Sequence, residues 1–383
     1  MVSNRNRSTA FKAATLTAVL AFAVGCERGV SSGTKTPAQP SASGCPAAFA
    51  QATTAVREAE NPRTSWNGPT TGPAAATGKR IVYVAQTMTN PGVAGTVSGA
   101  AEAAQAIGWN FEAIDGGGTP SGIQAALSEA IALKPSGIVL GGFDPKATSA
   151  QVSRANAEHI PLIGWHAVEA PGPSRNPELF TNITTELDKV AKISADWIIA
   201  RSHGHAGIVV FTDASIPFAK TKSGLILQQL STCQSVELLA YENIPIPDAG
   251  TRTPEEVSSL VSRLGDTWTY SAAINDLYFA DAAPALRAAG RRGSGPPFNI
   301  GAGDGDPSAF QRINSRQYQA ATVPEPLTQQ GWQVIDEFNR AFAGRPPSRY
   351  VAPVHVATAE NTGGATSWDP SGYREAYRKI WGI

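Results

Sequence analysis

The residues best equipped for chemistry in this chain come in small polar groups, each at the end of a short apolar run. Gln86, Thr87 and Asn90 follow the run 81–85, Trp165 and His166 follow 161–164, and Asn182 follows 179–181. Asp213 and Phe218 come after 206–211, Asn275 and Asp276 at the end of 271–275, Asp304 after 298–301 and Glu325 after 318–323. Carboxylates and amides bind vicinal hydroxyls through charge-assisted hydrogen bonds, and flat rings cover the apolar C–H faces of a sugar. The set therefore suits a small polyhydroxylated ligand. Each member also has a plainer reading, Asp213 and Asp304 as caps of following helices and Trp165 as core. Their recurrence after one run after another is the stronger signal.

Covalent chemistry has little to work with. There is no Gly-x-Ser-x-Gly and no Cys-x-x-Cys, and Gly301-Ala302-Gly303-Asp304-Gly305-Asp306 lacks the third glycine of a dinucleotide-binding loop. His203-Gly204-His205 falls between a helix end and a strand start, where imidazoles complement the helix dipole, so no metal is assigned to it. The expectation is a binding protein, not an enzyme, with no cofactor.

The elements that must position these residues are legible in the same stretches. Ile81 to Ala85 is a short run of strand formers, as in a strand buried on both faces of a parallel sheet. After the polar turn 86–91, Val93, Val97, Ala100, Ala101, Ala104 and Ile107 recur at helical spacing. This unit repeats: further strand-like runs at 109–114, 137–140, 161–164, 179–181, 206–211, 236–241, 271–275, 298–301 and 318–323 are nearly all separated by helical segments. Five helix starts carry a capping residue before proline: Thr119-Pro120, Asp144-Pro145, Thr253-Pro254, Asp306-Pro307 and Asp369-Pro370. The pattern predicts an α/β fold of two doubly wound parallel-sheet lobes, with ligand loops at the carboxyl ends of the strands.

Composition narrows the partners. Lys+Arg and Asp+Glu balance at 31 each and no basic stripe is present, which argues against nucleic acid. Arg5, Arg7 and Lys12 precede an apolar core, 16–24, too short to span a bilayer but right for a secretory leader. Residues 27–44 hold almost nothing to bury and read as a tether. Ala48, Phe49, Ala52 and Val56 then share one face of a short helix, and a Pro/Gly/Thr/Ala-rich stretch, 61–78, leads into the first strand.

Asn90-Pro91, Ile160-Pro161-Leu162-Ile163, Asn275-Asp276, Asp304-Gly305 and Ala320-Ala321-Thr322-Val323 together resemble the type I periplasmic solute-binding proteins, specifically the ribose-type sugar-binding group of ABC importers. The resemblance runs from Lys79 to the C-terminus. It implies that Asn90, Asn275, Asp304 and Glu325 lie at a cleft, and that three crossings, near 181–182, 323–324 and 351–353, join lobe 1 (79–181 plus 325–350) to lobe 2 (182–324 plus 351–383). The helix 327–342 would return to lobe 1 and bury Trp332, Val334, Ile335 and Phe338. Trp165-His166 stands where such proteins often carry Asp-Arg, so the ligand shifts from ribose toward another sugar, a polyol or a small cationic solute. The implied function is capture of that solute by lobe closure for a membrane permease, with a sensory role reporting to a receptor as the alternative. The implied protein is a monomer.

Ala23-Val24-Gly25-Cys26 resembles a bacterial lipobox, which implies a signal peptide over 1–26, lipidation at Cys26 and a lipid-anchored protein on the outer face of the cytoplasmic membrane or in the periplasm. A tether and N-terminal extension then occupy 27–78. Cys45 and Cys233 are the two remaining thiols. Two states are open to them, a disulfide favoured by an oxidising compartment or two separate buried thiols.

Overall fold

The strand residues of the first apolar run point alternately to two cores, which is what a doubly wound sheet requires. Ile81, Tyr83 and Ala85 join one apolar cluster and Val82 and Val84 the opposite one, all five fully buried. The computed structural model describes residues 44–61 and 65–383. It opens with helix α1 (Pro46–Glu60) and enters the first sheet through β1 (Arg80–Ala85), α2 (Pro91–Ile107), β2 (Asn110–Asp115), α3 (Pro120–Ala132) and β3 (Gly137–Gly141). This lobe continues through α4 (Ser149–Ala157), β4 (Leu162–Trp165), β5 (Gly172–Arg175) and β6 (Glu178–Ile183). The second lobe holds α5 (Leu187–Arg201), β7 (Ala206–Thr212), α6 (Pro217–Leu230), β8 (Val236–Asn243), α7 (Ala249–Leu264) and β9 (Tyr270–Ala273). It is completed by α8 (Leu277–Ala288), β10 (Phe298–Gly301), α9 (Pro307–Asn314) and β11 (Ala321–Thr322). Then come α10 (Leu327–Phe342), β12 (Ala357–Thr358) and α11 (Tyr373–Trp381).

Two six-stranded sheets result, in the orders β2-β1-β3-β4-β6-β5 and β12-β11-β10-β9-β7-β8. Pairing is parallel except at one edge of each sheet, where β5 runs against β6 and β12 against β11. Neither edge strand belongs to the sequence pattern. The stretch Gly172–Arg175 has no apolar alternation, and β12 is two residues long. No helix among the described residues is long and apolar enough to cross a membrane.

Two proline-marked helix starts behave differently from expectation. Helix α7 begins at Ala249, so Pro254 lies inside it and Thr253 caps nothing. Asp369 accepts instead from the Gln329 amide at 2.9 Å, fastening the start of α10, while α11 begins only at Tyr373.

The chain also changes lobes more often than three times. Helix α10 packs on α2 in the first lobe as expected, burying Trp332, Val334, Ile335 and Phe338. Of residues 351–383, however, only β12 joins the second sheet. Helix α11 sits in the first lobe's core, with Trp381 stacked on Trp332 at 5.4 Å. The N-terminal extension is built in too. Helix α1 lies on α5 of the second lobe, fixed by a Cys45–Cys233 disulfide with Cα atoms 5.2 Å apart. By Trp66, whose ring meets Tyr377 at 5.3 Å, the chain is on the first lobe, where Ala76 bonds Asn339 Oδ1 at 2.9 Å. It therefore passes between lobes before Trp66, after β6, after β11, before β12 and again before α11.

Candidate functional site

Between the lobes, at the carboxyl ends of both sheets, seven of the twelve expected site residues come together. Asn90, Trp165 and His166 from the first lobe, Phe218, Asn275 and Asp304 from the second, and Glu325 at a crossing line a cavity of about 50 Å3. The lobes touch around it: the His166 ring meets Phe218 edge-on at 4.6 Å, and a β-carbon on Gly92 would collide with the Asp304 carboxylate. Space for only a few waters remains, so a larger solute enters by separation of the lobes.

Each wall residue is placed by its element. Asn90 caps α2, its Oδ1 accepting from Gly92 N at 3.0 Å, which leaves its NH2 group for other partners. Trp165 ends β4, and its indole N–H donates to Gln330 Oε1 at 2.7 Å. Gln330 in turn donates to Glu325 Oε2 at 2.9 Å, and that oxygen also bonds His166 Nε2 at 2.8 Å. His166 and Asp304 both have positive φ, 51° and 67°, a backbone region that non-glycine residues avoid unless their surroundings hold them there.

Lys222 is one of two residues that sequence reasoning missed. It is 4% exposed on α6 and donates to the carbonyls of Ile274 at 3.1 Å and Ala302 at 2.6 Å, two backbone groups beyond the ends of β9 and β10. An ammonium has three donors, so one remains for the cavity it lines. Phe218 and Lys222 are four residues apart behind Pro217, one face of a helix start, and that spacing was the available signal. Gln330 was missed for the same reason: a polar residue on an amphipathic helix reads as solvent-facing.

The two cavity carboxylates have opposite tendencies. Burial, then Asp276, raise Asp304 well above the usual carboxylate range, against the pull of Lys222. Burial pushes Glu325 the same way, but the His166 imidazole and its hydrogen bond, with Lys222 and Gln330, overcome it and hold Glu325 at about 2. Asp304 thus tends toward the neutral acid, a donor, while Glu325 stays an acceptor. Because the folded value of Glu325 lies below its ordinary 4.5, unfolding takes up a proton between those values, and stability should fall as pH drops from about 4.5 toward 2. Acid titration of Glu325→Gln should show a shallower decline than wild type over that window; parallel curves would refute the assignment.

Five expected residues lie elsewhere, their polar atoms committed in most cases. Asn182 is saturated: Oδ1 accepts from Ala167 N, and Nδ2 donates to the carbonyls of Val168 and Ala170. It shapes the loop carrying His166. Asp213 accepts from Ser215 and from Ile246 N at 2.9 Å, tying the turn after β7 to the next segment. Asp276 accepts from Gly305 N, Thr322 and Gln319, holding the loop that presents Asp304. Thr87 bonds Thr89 within its turn, and Gln86 is buried with Oε1 unpartnered but outside the cavity wall.

Trp165 is at once wall and core, 3% exposed in the first lobe's main cluster. Replacing it with alanine therefore costs packing as well as ligand contact, and the resting melting temperature cannot stay unchanged. Trp165→Phe separates the two. It keeps a ring and orphans Gln330 Oε1, for a loss of about 1–2 kcal/mol that thermal denaturation should register. A melting temperature equal to wild type would show that the Trp165–Gln330 bond contributes nothing.

Among the described residues no group of three or more His, Cys, Asp or Glu is placed to hold a metal. Cys26 lies outside the described residues. Residues 81–346 match the family model described as periplasmic binding protein domain. A solute-binding protein of an ABC transporter from Agrobacterium vitis, solved with allitol bound, superposes with TM-score 0.64 at 20% identity, covering 79% of this chain and 99% of that one. A sugar ABC transporter protein from Yersinia enterocolitica gives 0.68 at 15% identity, over 82% and 98%. A solute-binding protein from Actinobacillus succinogenes with bound D-allose gives 0.64 at 14%, over 75% and 100%. No curated protein matches the chain.

Proposed function

Since the chain belongs to the periplasmic binding protein domain family, we propose that it captures a sugar or polyol between its lobes and delivers it to the permease of an ABC importer. The observation that carries this reading is a set of buried polar atoms without partners around the inter-lobe cavity. Asn275 Oδ1 and Asp304 Oδ2 have none, and Lys222 keeps a third N–H. A buried polar atom left unpaired is costly, and a hydroxyl, which both donates and accepts, supplies what each one lacks. The rings of Trp165 and Phe218 stand beside them to cover C–H faces. Allitol and D-allose, bound by two structural neighbours, are of that chemical class.

The ligand is released unaltered, and the protein works as a lipid-anchored monomer exported through its leader. Cys26→Ala should free it from the membrane fraction or leave the precursor unprocessed; unchanged processing and anchoring would refute that part. A thermal-shift screen over pentoses, hexoses and polyols tests the binding role, because a ligand bound only by the folded state raises its melting temperature. The hit should also lower the radius of gyration in small-angle scattering and be recovered chemically intact. No stabilising sugar or polyol, or an unchanged radius at saturation, would overturn the reading.

A further inference from the structure

Another cavity lies away from the cleft, at the amino ends of β10 and β11, and shares no wall residue with it. It encloses about 350 Å3, within the usual range for small-molecule sites. Its roof is the last turn of α1, so the disulfide-fixed N-terminal extension completes it. Val56, Trp197, Phe298, Ile313 and Ala320 supply apolar wall. Among its wall residues Asn299 is 1% exposed, its NH2 donating to Tyr318 O at 2.7 Å. Toward solvent stand Glu60 and Arg201, at the ends of α1 and α5. Among the described residues neither side chain has a hydrogen bond or close ion pair, although Arg201 lies over the Phe298 ring at 6.0 Å and acts electrostatically on Glu60. The other two rim charges already neutralise each other, Arg316 pairing Glu360 at 3.1 Å.

We propose that this cavity is a second ligand site, for a small zwitterion with an apolar ring, of the aromatic amino-acid type. The ring lies along the apolar walls, and the ammonium and carboxylate reach Glu60 and Arg201. Guanidinium and carboxylate match as a planar, two-bond pair. Burial and the nearby Glu360 raise Glu60 against the pull of Arg201, and a bound ammonium would add to that pull.

Calorimetric titration of the full chain with L-tryptophan should show one site. Tryptamine and indole-3-propionate, each lacking one charged group, should bind about tenfold more weakly. Arg201→Gln and Glu60→Gln should each weaken L-tryptophan about tenfold without altering the melting temperature, whereas Trp165→Phe in the cleft should leave its affinity unchanged. Absence of heat at millimolar L-tryptophan overturns the proposal. So does equal affinity for tryptamine or indole-3-propionate, or a loss of binding in Trp165→Phe that Arg201→Gln does not share.

Discussion

Converting both Cys45 and Cys233 to alanine should lower unfolding stability by about 2–5 kcal/mol. The bond spans 188 residues, and a crosslink limits the unfolded chain most when it closes a long loop, with about 5 kcal/mol as the ceiling at this length. The enclosed loop contains the whole first sheet and the first strand of the second, β7. Packing of α1 on α5, with Ala52 and Val56 buried, supports the native side independently, so the helix should stay docked in the mutant while global stability falls. Chemical denaturation of wild type should give the same drop when the protein is first reduced and alkylated. Coincident curves for oxidised and reduced protein would show that the unfolded ensemble does not feel the bond. Loss of α1 alone, as a separate early transition, would show that the bond only restrains a local element.

Lys222→Met should be as damaging. Methionine keeps the length of the stem but removes a cation buried near Glu325 and Asp304, and two backbone carbonyls lose their donor. Breaking a buried charge cluster by deleting one member costs about 3–5 kcal/mol, on the order of 10 °C in melting temperature for a domain of this size. The pH dependence identifies the cause. Without the cation both carboxylates take up protons more readily in the folded state, so the deficit should be largest near neutrality and shrink in acid. Ligand-induced stabilisation should disappear at pH 7 with the third Lys222 N–H. An equal deficit at pH 7 and pH 4 would mean that methionine fails by shape, and a wild-type melting temperature would remove Lys222 from any role in the site.

Lysine is the residue type least often buried, so nothing in α6 marked Lys222 except its spacing from Phe218. The backbone layout was far more readable. The run Ile81–Ala85 alternates between two cores because both faces of its strand are covered, and Asp306 and Thr119 cap helices as their positions before proline suggest. Thr253 and Asp369 carry the same local signal and are used otherwise, because a cap acceptor serves whichever amide the tertiary fold brings to it. Helix α11 shows the same limit: Tyr373, Tyr377, Ile380 and Trp381 declare a buried face without declaring which lobe it meets. In the site, Asn182, Asp213 and Asp276 are the right residue types in the right loops. Only the hydrogen-bond geometry tells a loop's own fastening from an atom left over for a ligand.

Five passages of backbone between two bodies act as parallel struts in a mechanical linkage. A single connector would let the lobes twist, slide and splay; each added strut, set apart from the others, removes one of those modes. On the proposed closure, the ligand-free protein therefore samples a narrow arc of bending, and most of the disorder that capture would otherwise suppress has been suppressed by covalent connectivity beforehand. Tilted ring contacts of Trp66 with Tyr350 and Tyr377, and the stacking of Trp332 on Trp381, clamp the outer struts at their first-lobe ends, and the Cys45–Cys233 bond clamps one of them to the second lobe. Affinity in such a molecule is set as much by how little freedom the empty state retains as by the contacts it makes when full.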